Sequence, residues 1–132
     1  MHCHTISNDL AIQAKYTPLN PSRALIYLSY NGDTSIKATW NGTVIAESNN
    51  TIVIEGNQYF PPESVHRETF VPSETPYTCP WKGVCTYYTL MVDGQENQDA
   101  AFTYEHPMTS AIDKVGANFS NYVSFWRGVT VG

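Results

Sequence analysis

The sequence is poor in charge. Lys, Arg, Asp and Glu make up 14% of its 132 residues, against about 25% in an average globular domain. The seven basic residues are scattered along the chain, and the net charge is −5. A protein that binds the phosphate backbone needs clustered positive charge. The composition therefore argues against nucleic acid as a partner.

Long apolar runs and paired cysteines are also lacking. No apolar stretch approaches the roughly 18 residues that cross a bilayer, and residues 1–5 lack the basic start and apolar core of a secretory signal. The three cysteines are an odd number, which argues against a disulfide framework and for a reducing compartment. We therefore expect a cytoplasmic protein that does not use a membrane as partner.

What the sequence does contain is a series of short strand patterns separated by turn residues. These are residues 24–30, 35–40, 43–48, 51–55, 84–92, 99–106 and 122–131. Asn41-Gly42 is a strong hairpin signal, because both residues tolerate a positive φ. One short helix is predicted, with Ser110 as its cap and Gly116 at its end. The sequence predicts a single all-β domain, an antiparallel meander over residues 24–132, after an irregular arm over residues 1–23.

The two longest strand patterns predict a hairpin around a loop over residues 93–98. If the pairing is symmetric about that loop, Tyr87 lies opposite Tyr104 and Cys85 lies opposite His106. A slip of one residue would move one strand's set to the other face.

The segment 78–88 holds two thiols, a lysine and three aromatic residues. Cys79-Pro80-Trp81-Lys82 is typical of a β-turn, with Pro fixing φ at the second position. The spacing of Cys79 and Cys85 is not that of a Cys-x-x-Cys redox pair. A zinc site would need His66 and His106 together with both thiols, but these four residues do not follow a ligand-spacing pattern of known zinc sites. We therefore expect neither a metal nor a cofactor.

A pocket wall is the third interpretation of this segment. The turn would present Trp81 and Lys82 to a hairpin face that carries Tyr87 and Tyr104. Ligand pockets are mostly apolar and aromatic, with a few polar groups that orient the ligand. The alternative is that the aromatic residues are ordinary core and that Lys82 is solvated; the sequence leaves both open.

Four segments together resemble one small family. They are residues 59–65, 78–88, 100–107 and 123–126, and they resemble the DUF427 family, sometimes labelled nucleotidyltransferase-like. The resemblance covers about residues 33–131, and its most specific part is Cys-Pro-Trp-Lys-Gly at 79–83. The family usually has Trp where this chain has Phe102, so a stacking contact there would be weaker.

The resemblance implies a β-tent-like fold, in which two antiparallel sheets meet at an angle over a pocket. Relatives with that fold hold zinc between Cys-x-x-Cys pairs, which this chain lacks, so a zinc site is not implied. The nucleotidyltransferase label finds no support, because there is no Gly-rich phosphate loop and no pair of Asp residues at metal-binding spacing.

Three hypotheses about function follow. In the first, the domain binds a small metabolite in an aromatic pocket anchored by Lys82. Its predicted ligand contacts are Tyr59, Glu63, Trp81, Lys82, Tyr87, Phe102, Tyr104 and Trp126. The alternative is an enzyme in which Cys79 is a thiolate nucleophile or redox centre activated by Lys82, with His66 or His106 as acid/base. In the third, an exposed Trp81 anchors a protein partner, such as a second copy in a homodimer.

Overall fold

The structure is a computed structural model, and it describes residues 35–132. Within that range the chain forms ten strands and one α-helix. The elements are β1 (Ile36–Trp40), β2 (Thr43–Ser48), β3 (Ile52–Ile54), β4 (Asn57–Tyr59), β5 (Phe70–Pro72), β6 (Tyr77–Cys79), β7 (Gly83–Val92), β8 (Gln95–Thr103), α1 (Thr109–Val115), β9 (Val123–Phe125) and β10 (Thr130–Val131). Two 3-10 turns, Pro62–Ser64 and Arg67–Thr69, lie between β4 and β5. The predicted arm and the strand pattern at 24–30 lie outside the described residues.

The strands form two layers. The smaller sheet has the order β10-β1-β2, and the larger has the order β5-β7-β8-β9, with β6 pairing the beginning of β7. The β3–β4 hairpin extends the larger sheet, because Phe60 and Val123 exchange backbone hydrogen bonds of 2.7 and 2.8 Å. All strand pairs among the described residues are antiparallel. The predicted all-β antiparallel domain with one short helix is confirmed.

Side-chain alternation along the larger sheet produces two buried clusters, one on each face. The inter-sheet cluster fills the space toward the smaller sheet and consists of Ala38, Ile45, Ala46, Phe60, Val65, Leu90, Val92, Ala100, Ala101, Val123 and Phe125. The aromatic cluster lies on the opposite face, under α1, and consists of Ile52, Ile54, Tyr59, Cys79, Trp81, Cys85, Tyr87, Phe102, Tyr104, Ala111, Val115 and Phe119. Most of the residues predicted to contact a ligand belong to the aromatic cluster.

The register predicted for the β7–β8 hairpin is wrong by four residues next to the turn, where Leu90 pairs with Asn97, and by two residues beyond the irregularity at Tyr88. Tyr87 pairs with Phe102 and not with Tyr104. The strands are joined by the two-residue turn Asp93-Gly94, with φ values of 51° and 76°, which is a tighter connection than the predicted loop over 93–98. A shift by an even number of residues keeps every side chain on its face. Tyr87 and Tyr104 therefore still share the aromatic cluster.

The end of the chain differs from prediction at two points. The helix α1 begins two residues earlier than the predicted Ser110 cap, with Met108 at its cap position and no side-chain cap bond. It ends as predicted at Gly116, whose φ is 86°. The predicted strand over 122–131 is two strands in different sheets, since Arg127 and Gly128 both have positive φ and turn the chain.

Over residues 35–132, no helix is long and apolar enough to cross a bilayer.

Candidate functional site

A tight hairpin loop places Lys82 against the aromatic cluster. Cys79 pairs with Gly83 at the ends of β6 and β7, so Pro80, Trp81 and Lys82 form a three-residue loop. Gly83 has a φ of 115°, a conformation that side chains disfavour. The Lys82 carbonyl accepts a 2.9 Å bond from the Met108 N–H, which ties the loop to the segment before α1. The turn predicted from the sequence is present, and it folds inward.

The ammonium of Lys82 is buried in an ion pair. Its Nζ donates a hydrogen bond of 2.6 Å to Glu55 Oε1 and one of 3.2 Å to the Tyr59 hydroxyl. Both side chains of the ion pair are 0% exposed. A buried ion needs a partner, because leaving it alone in an apolar interior costs several kcal/mol. Lys82 is therefore not the solvated lysine of the core-only alternative.

Three aromatic rings surround the same ammonium. The Nζ lies 5.0 Å from the ring centroid of Tyr104, 5.4 Å from that of Trp81 and 5.8 Å from that of Tyr59. At these distances the ring quadrupoles attract the positive charge, more strongly where water is excluded. Lys82 therefore lies in an aromatic cage that is closed on one side by a carboxylate.

Glu55 is the site residue that the sequence analysis missed. It occupies the turn between β3 and β4 with a φ of 55°, followed by Gly56 with a φ of 82°. Two-residue turns with two positive φ angles favour Asn, Asp or Gly, so Glu55 occupies a position that disfavours its residue type. A Glu-Gly pair between two strand patterns was the available signal. Its hydrogen bond to Lys82 joins residues that are 27 positions apart in the sequence, so no local sequence pattern reveals it.

Burial shifts the titration of the groups around Lys82. Burial lowers the pKa of Lys82, and the hydrogen bond and charge of Glu55 partly oppose this. Burial raises the pKa of the Cys85 thiol to about 12, although hydrogen bonds with Tyr104 and Tyr87 offset part of the rise. Burial also raises the pKa of both tyrosines and of Tyr59. At neutral pH the thiol and the three phenols are therefore uncharged, and among the described residues the charges at the centre of the cage are those of Lys82 and Glu55.

Trp81 carries a buried donor without an acceptor. The residue is 5% exposed, and its indole Nε1 has no hydrogen-bond partner among residues 35–132. Buried N–H groups in native proteins are nearly always paired, and an unpaired one costs about 1–3 kcal/mol. The orphan N–H belongs to the ring that faces the Lys82 ammonium. Trp81 therefore offers an unused hydrogen-bond donor in the ring next to the Lys82 ammonium.

The aromatic cluster reaches the surface along one rim. Tyr77, Tyr122 and Trp126 are partly exposed and pack against it. Trp126 stacks on Tyr87 with ring centroids 6.4 Å apart and planes 16° apart, and its indole donates a 2.6 Å bond to the Asp99 carbonyl. The rim is therefore the partly exposed border of the aromatic cluster.

Comparison with known families agrees with the resemblance. The sequence matches the family described as a domain of unknown function, DUF427, over residues 30–131. The chain belongs to the DUF427 family. Among curated proteins, none matches the sequence significantly.

Most predicted ligand contacts of this DUF427 domain come together around Lys82. Those in the aromatic cluster are Tyr59, Trp81, Tyr87, Phe102 and Tyr104, with Trp126 at the rim. Phe102 lies at the centre, with its ring edge-to-face with Tyr59, Tyr87, Tyr104 and Trp126 at centroid distances of 6.0 to 6.5 Å. The rings are buried and pack against one another, so they form both core and cage.

The other predicted site residues lie elsewhere or are differently arranged. Glu63, His66 and His106 are exposed side chains outside the aromatic cluster. Cys79 is 1% exposed and disulfide-bonded, whereas Cys85 is a free buried thiol. Trp81 is buried and is not the exposed anchor that the interaction hypothesis required. Among the described residues, no group of three or more His, Cys, Asp or Glu side chains is placed to hold a metal ion.

Proposed function

We propose that this DUF427 domain is a small-molecule binding module whose ligand is recognised by Trp81 and Lys82 inside the aromatic cage. The observation that carries the proposal is the orphan Trp81 Nε1–H beside a fully buried, paired ammonium. Two polar groups that converge in an otherwise apolar, aromatic region are typical of ligand sites.

The energetics of the ion pair support a functional interpretation. An apolar pair of similar volume at positions 82 and 55 would often be as stabilising as a buried ion pair or more so. Glu55 also occupies a left-handed backbone position, which costs a non-glycine residue about 1 kcal/mol. Features that oppose stability in this way cluster at functional sites.

The burial of the cage sets a condition on binding. Because the rings of Tyr59 and Tyr104 are fully buried, a ligand reaches Lys82 only when side chains at the rim move aside. Two partly exposed residues of the rim contact Tyr87: Trp126 stacks on its ring, and Tyr77 packs near it. Rotamer changes of this kind are common at binding sites.

Catalysis through Cys79 is the weaker proposal. A thiolate nucleophile must be free and accessible, and Cys79 is bonded and buried. The Lys82 ammonium, its proposed activator, is hydrogen-bonded to Glu55 and Tyr59. The candidate acid/base residues, His66 and His106, lie outside the cluster. We retain binding as the proposed function. The cytoplasmic location stays a prediction, which the disulfide of Cys79 does not support and which expression of a tagged chain in its own cells would test.

A thermal-shift screen over metabolite classes tests this proposal. A ligand at a hundred times its dissociation constant adds about 2.7 kcal/mol to the free energy of unfolding. The test variant is Trp81→Phe, which keeps an aromatic ring and removes the N–H; the control is Trp40→Phe, which lies against the inter-sheet cluster. We expect a ligand that stabilises the wild type and the control and stabilises Trp81→Phe less. No stabilisation by any class, or equal stabilisation of both variants, would contradict the proposal.

A further inference from the structure

The charges in the cage bear on the kind of ligand it accepts. The Lys82 ammonium, taken alone, attracts anions. In the structure its charge is already balanced by Glu55 at 2.6 Å. Because burial keeps Cys85, Tyr87 and Tyr104 protonated at neutral pH, the described groups at the centre of the cage have a net charge close to zero.

Two further charges reach the aromatic cluster: the buried Asp99, and the exposed Arg127, whose guanidinium lies 4.6 Å from the ring centroid of Trp126 at the rim. Asp99 is 6% exposed, and its charge contributes to raising the pKa of Cys85. The Asp99 carboxylate is held by Ser73 and Thr75 hydroxyls at 2.5 and 2.8 Å, neither of which is a cation. Since Arg127 lies at the exposed rim, an anionic ligand beside Lys82 would have no balancing charge next to it among the described residues, which disfavours its binding.

The hydrogen-bonding groups of the cage favour a ligand that carries a hydrogen-bond acceptor. Within the described part of the chain, the Trp81 Nε1–H has no partner, and Lys82 directs two of its three protons at Glu55 and Tyr59. The acceptor oxygen of Glu55 nearest the cage is already bonded to Lys82. An uncharged carbonyl oxygen satisfies these donors without adding charge, and a planar group attached to it can pack against the rings of Trp81 and Tyr104.

We propose that the site selects an uncharged, planar, carbonyl-bearing ligand over the corresponding carboxylate, and that Glu55 sets this selectivity. The inference rests on the proposed function and narrows it to a class of ligand. Glu55 acts through Lys82, by balancing its charge, and is a positioning and specificity residue. If Glu55 loses its charge, the Lys82 ammonium becomes available to balance a ligand carboxylate.

Matched pairs of ligands test the inference. Each pair shares one ring system and differs in charge at pH 7: benzamide with benzoate, nicotinamide with nicotinate, and indole-3-acetamide with indole-3-acetate. Dissociation constants are measured by calorimetry for the wild type, for Glu55→Gln and for Glu47→Gln. The last variant is the control, since it removes a carboxylate from a surface pair with Lys37 at 4.0 Å. Unfolding curves establish that each variant is folded.

In the wild type we expect the amide of at least one pair to bind about tenfold or more tightly than its carboxylate, a difference of about 1.4 kcal/mol. Glu55→Gln is expected to tighten carboxylate binding by about tenfold and to change amide binding by less than about threefold; Glu47→Gln changes neither.

Tighter binding of carboxylates by the wild type overturns the inference and leaves the proposed function standing. That comparison needs no variant, so it decides even if Glu55→Gln does not fold. If Glu55→Gln is folded and prefers the amide over the carboxylate as strongly as the wild type does, the inference is also overturned. Absence of binding by every member of all three pairs counts against the proposed function itself.

Discussion

Replacing Lys82 by methionine isolates the charge of the buried ion pair. Methionine has a similar length and retains the apolar contacts of the lysine stem, while the ammonium is lost. At the observed 2.6 Å, two unit charges attract by about 6 kcal/mol at an effective dielectric constant of ~20. Burial of the two ions costs several kcal/mol each. The net contribution of the intact pair is therefore small, and the large effect comes from breaking it.

The expected loss is about 3–4 kcal/mol in the free energy of unfolding at pH 7. Removal of one partner from a buried pair typically costs about 3–5 kcal/mol. Glu55 can limit the loss by taking up a proton, which for an ordinary glutamate costs about 4 kcal/mol at pH 7. In the variant, the folded state then binds a proton that the unfolded state lacks, so stability rises as the pH falls. Between pH 7 and pH 5.5 about 2 kcal/mol of the loss should be recovered.

Urea unfolding of four proteins measures these effects. They are the wild type, Lys82→Met, the double variant Lys82→Met/Glu55→Gln and the control Lys37→Met. Lys37 lies 4.0 Å from Glu47 in a pair whose side chains are 41% and 45% exposed, so its replacement should cost less than about 0.5 kcal/mol. The double variant should lose less than Lys82→Met, because no unpaired charge remains. If Lys82→Met loses no more stability than Lys37→Met, or if its loss does not depend on pH, the argument for a buried ion pair is refuted.

Three further predictions concern other parts of the structure. Gly83→Ala forces a side chain into a φ of 115°, so we expect a loss of about 1–2 kcal/mol by urea unfolding; a neutral substitution would mean that the loop is not held as described. The folded pKa of Cys85 is raised from 9.0 to about 12, so its contribution to stability is complete below pH 9 and is lost as the pH rises toward 12. Cys85→Ala should therefore lose stability less steeply than the wild type in that range, and parallel curves would contradict the assignment. Asp99→Ala leaves the Ser73 and Thr75 hydroxyls without their acceptor and should speed amide hydrogen exchange in residues 73–75; unchanged exchange would show that Asp99 does not hold this loop.

The fold class and much of the strand pattern were predictable because they depend on local signals. Asn41-Gly42 marks the first hairpin correctly, and both residues have the positive φ that the turn requires. The alternation of β7 placed Cys85 and Tyr87 on one face, which is confirmed. Tertiary effects explain the errors. The irregularity in pairing between Tyr88 and Leu90 and the turn at Arg127 depend on how the strands twist and pack, which local pattern does not specify.

The candidate site was predictable in its aromatic part and not in its charged part. The turn at 79–82 predicted that Trp81 and Lys82 lie near Tyr87 and Tyr104, and the structure brings these residues together. Glu63, predicted as a contact because it belongs to the family-like segment 59–65, is exposed and lies outside the aromatic cluster. The partner of Lys82 is Glu55, because the β3–β4 turn returns the chain to the same end of the aromatic cluster. A pairing of this kind follows from tertiary folding alone.

The central claim, that the Trp81 N–H and the Lys82 ammonium form a ligand site, is tested most directly by nuclear magnetic resonance of the indole N–H groups. The chain has three tryptophans, and Trp→Phe variants assign the three signals. On titration with the amides named above, the account predicts that the Trp81 signal moves downfield and saturates, while the Trp40 signal stays in place. A Trp81 signal that does not respond to any compound in either the amide or the carboxylate series would contradict the account.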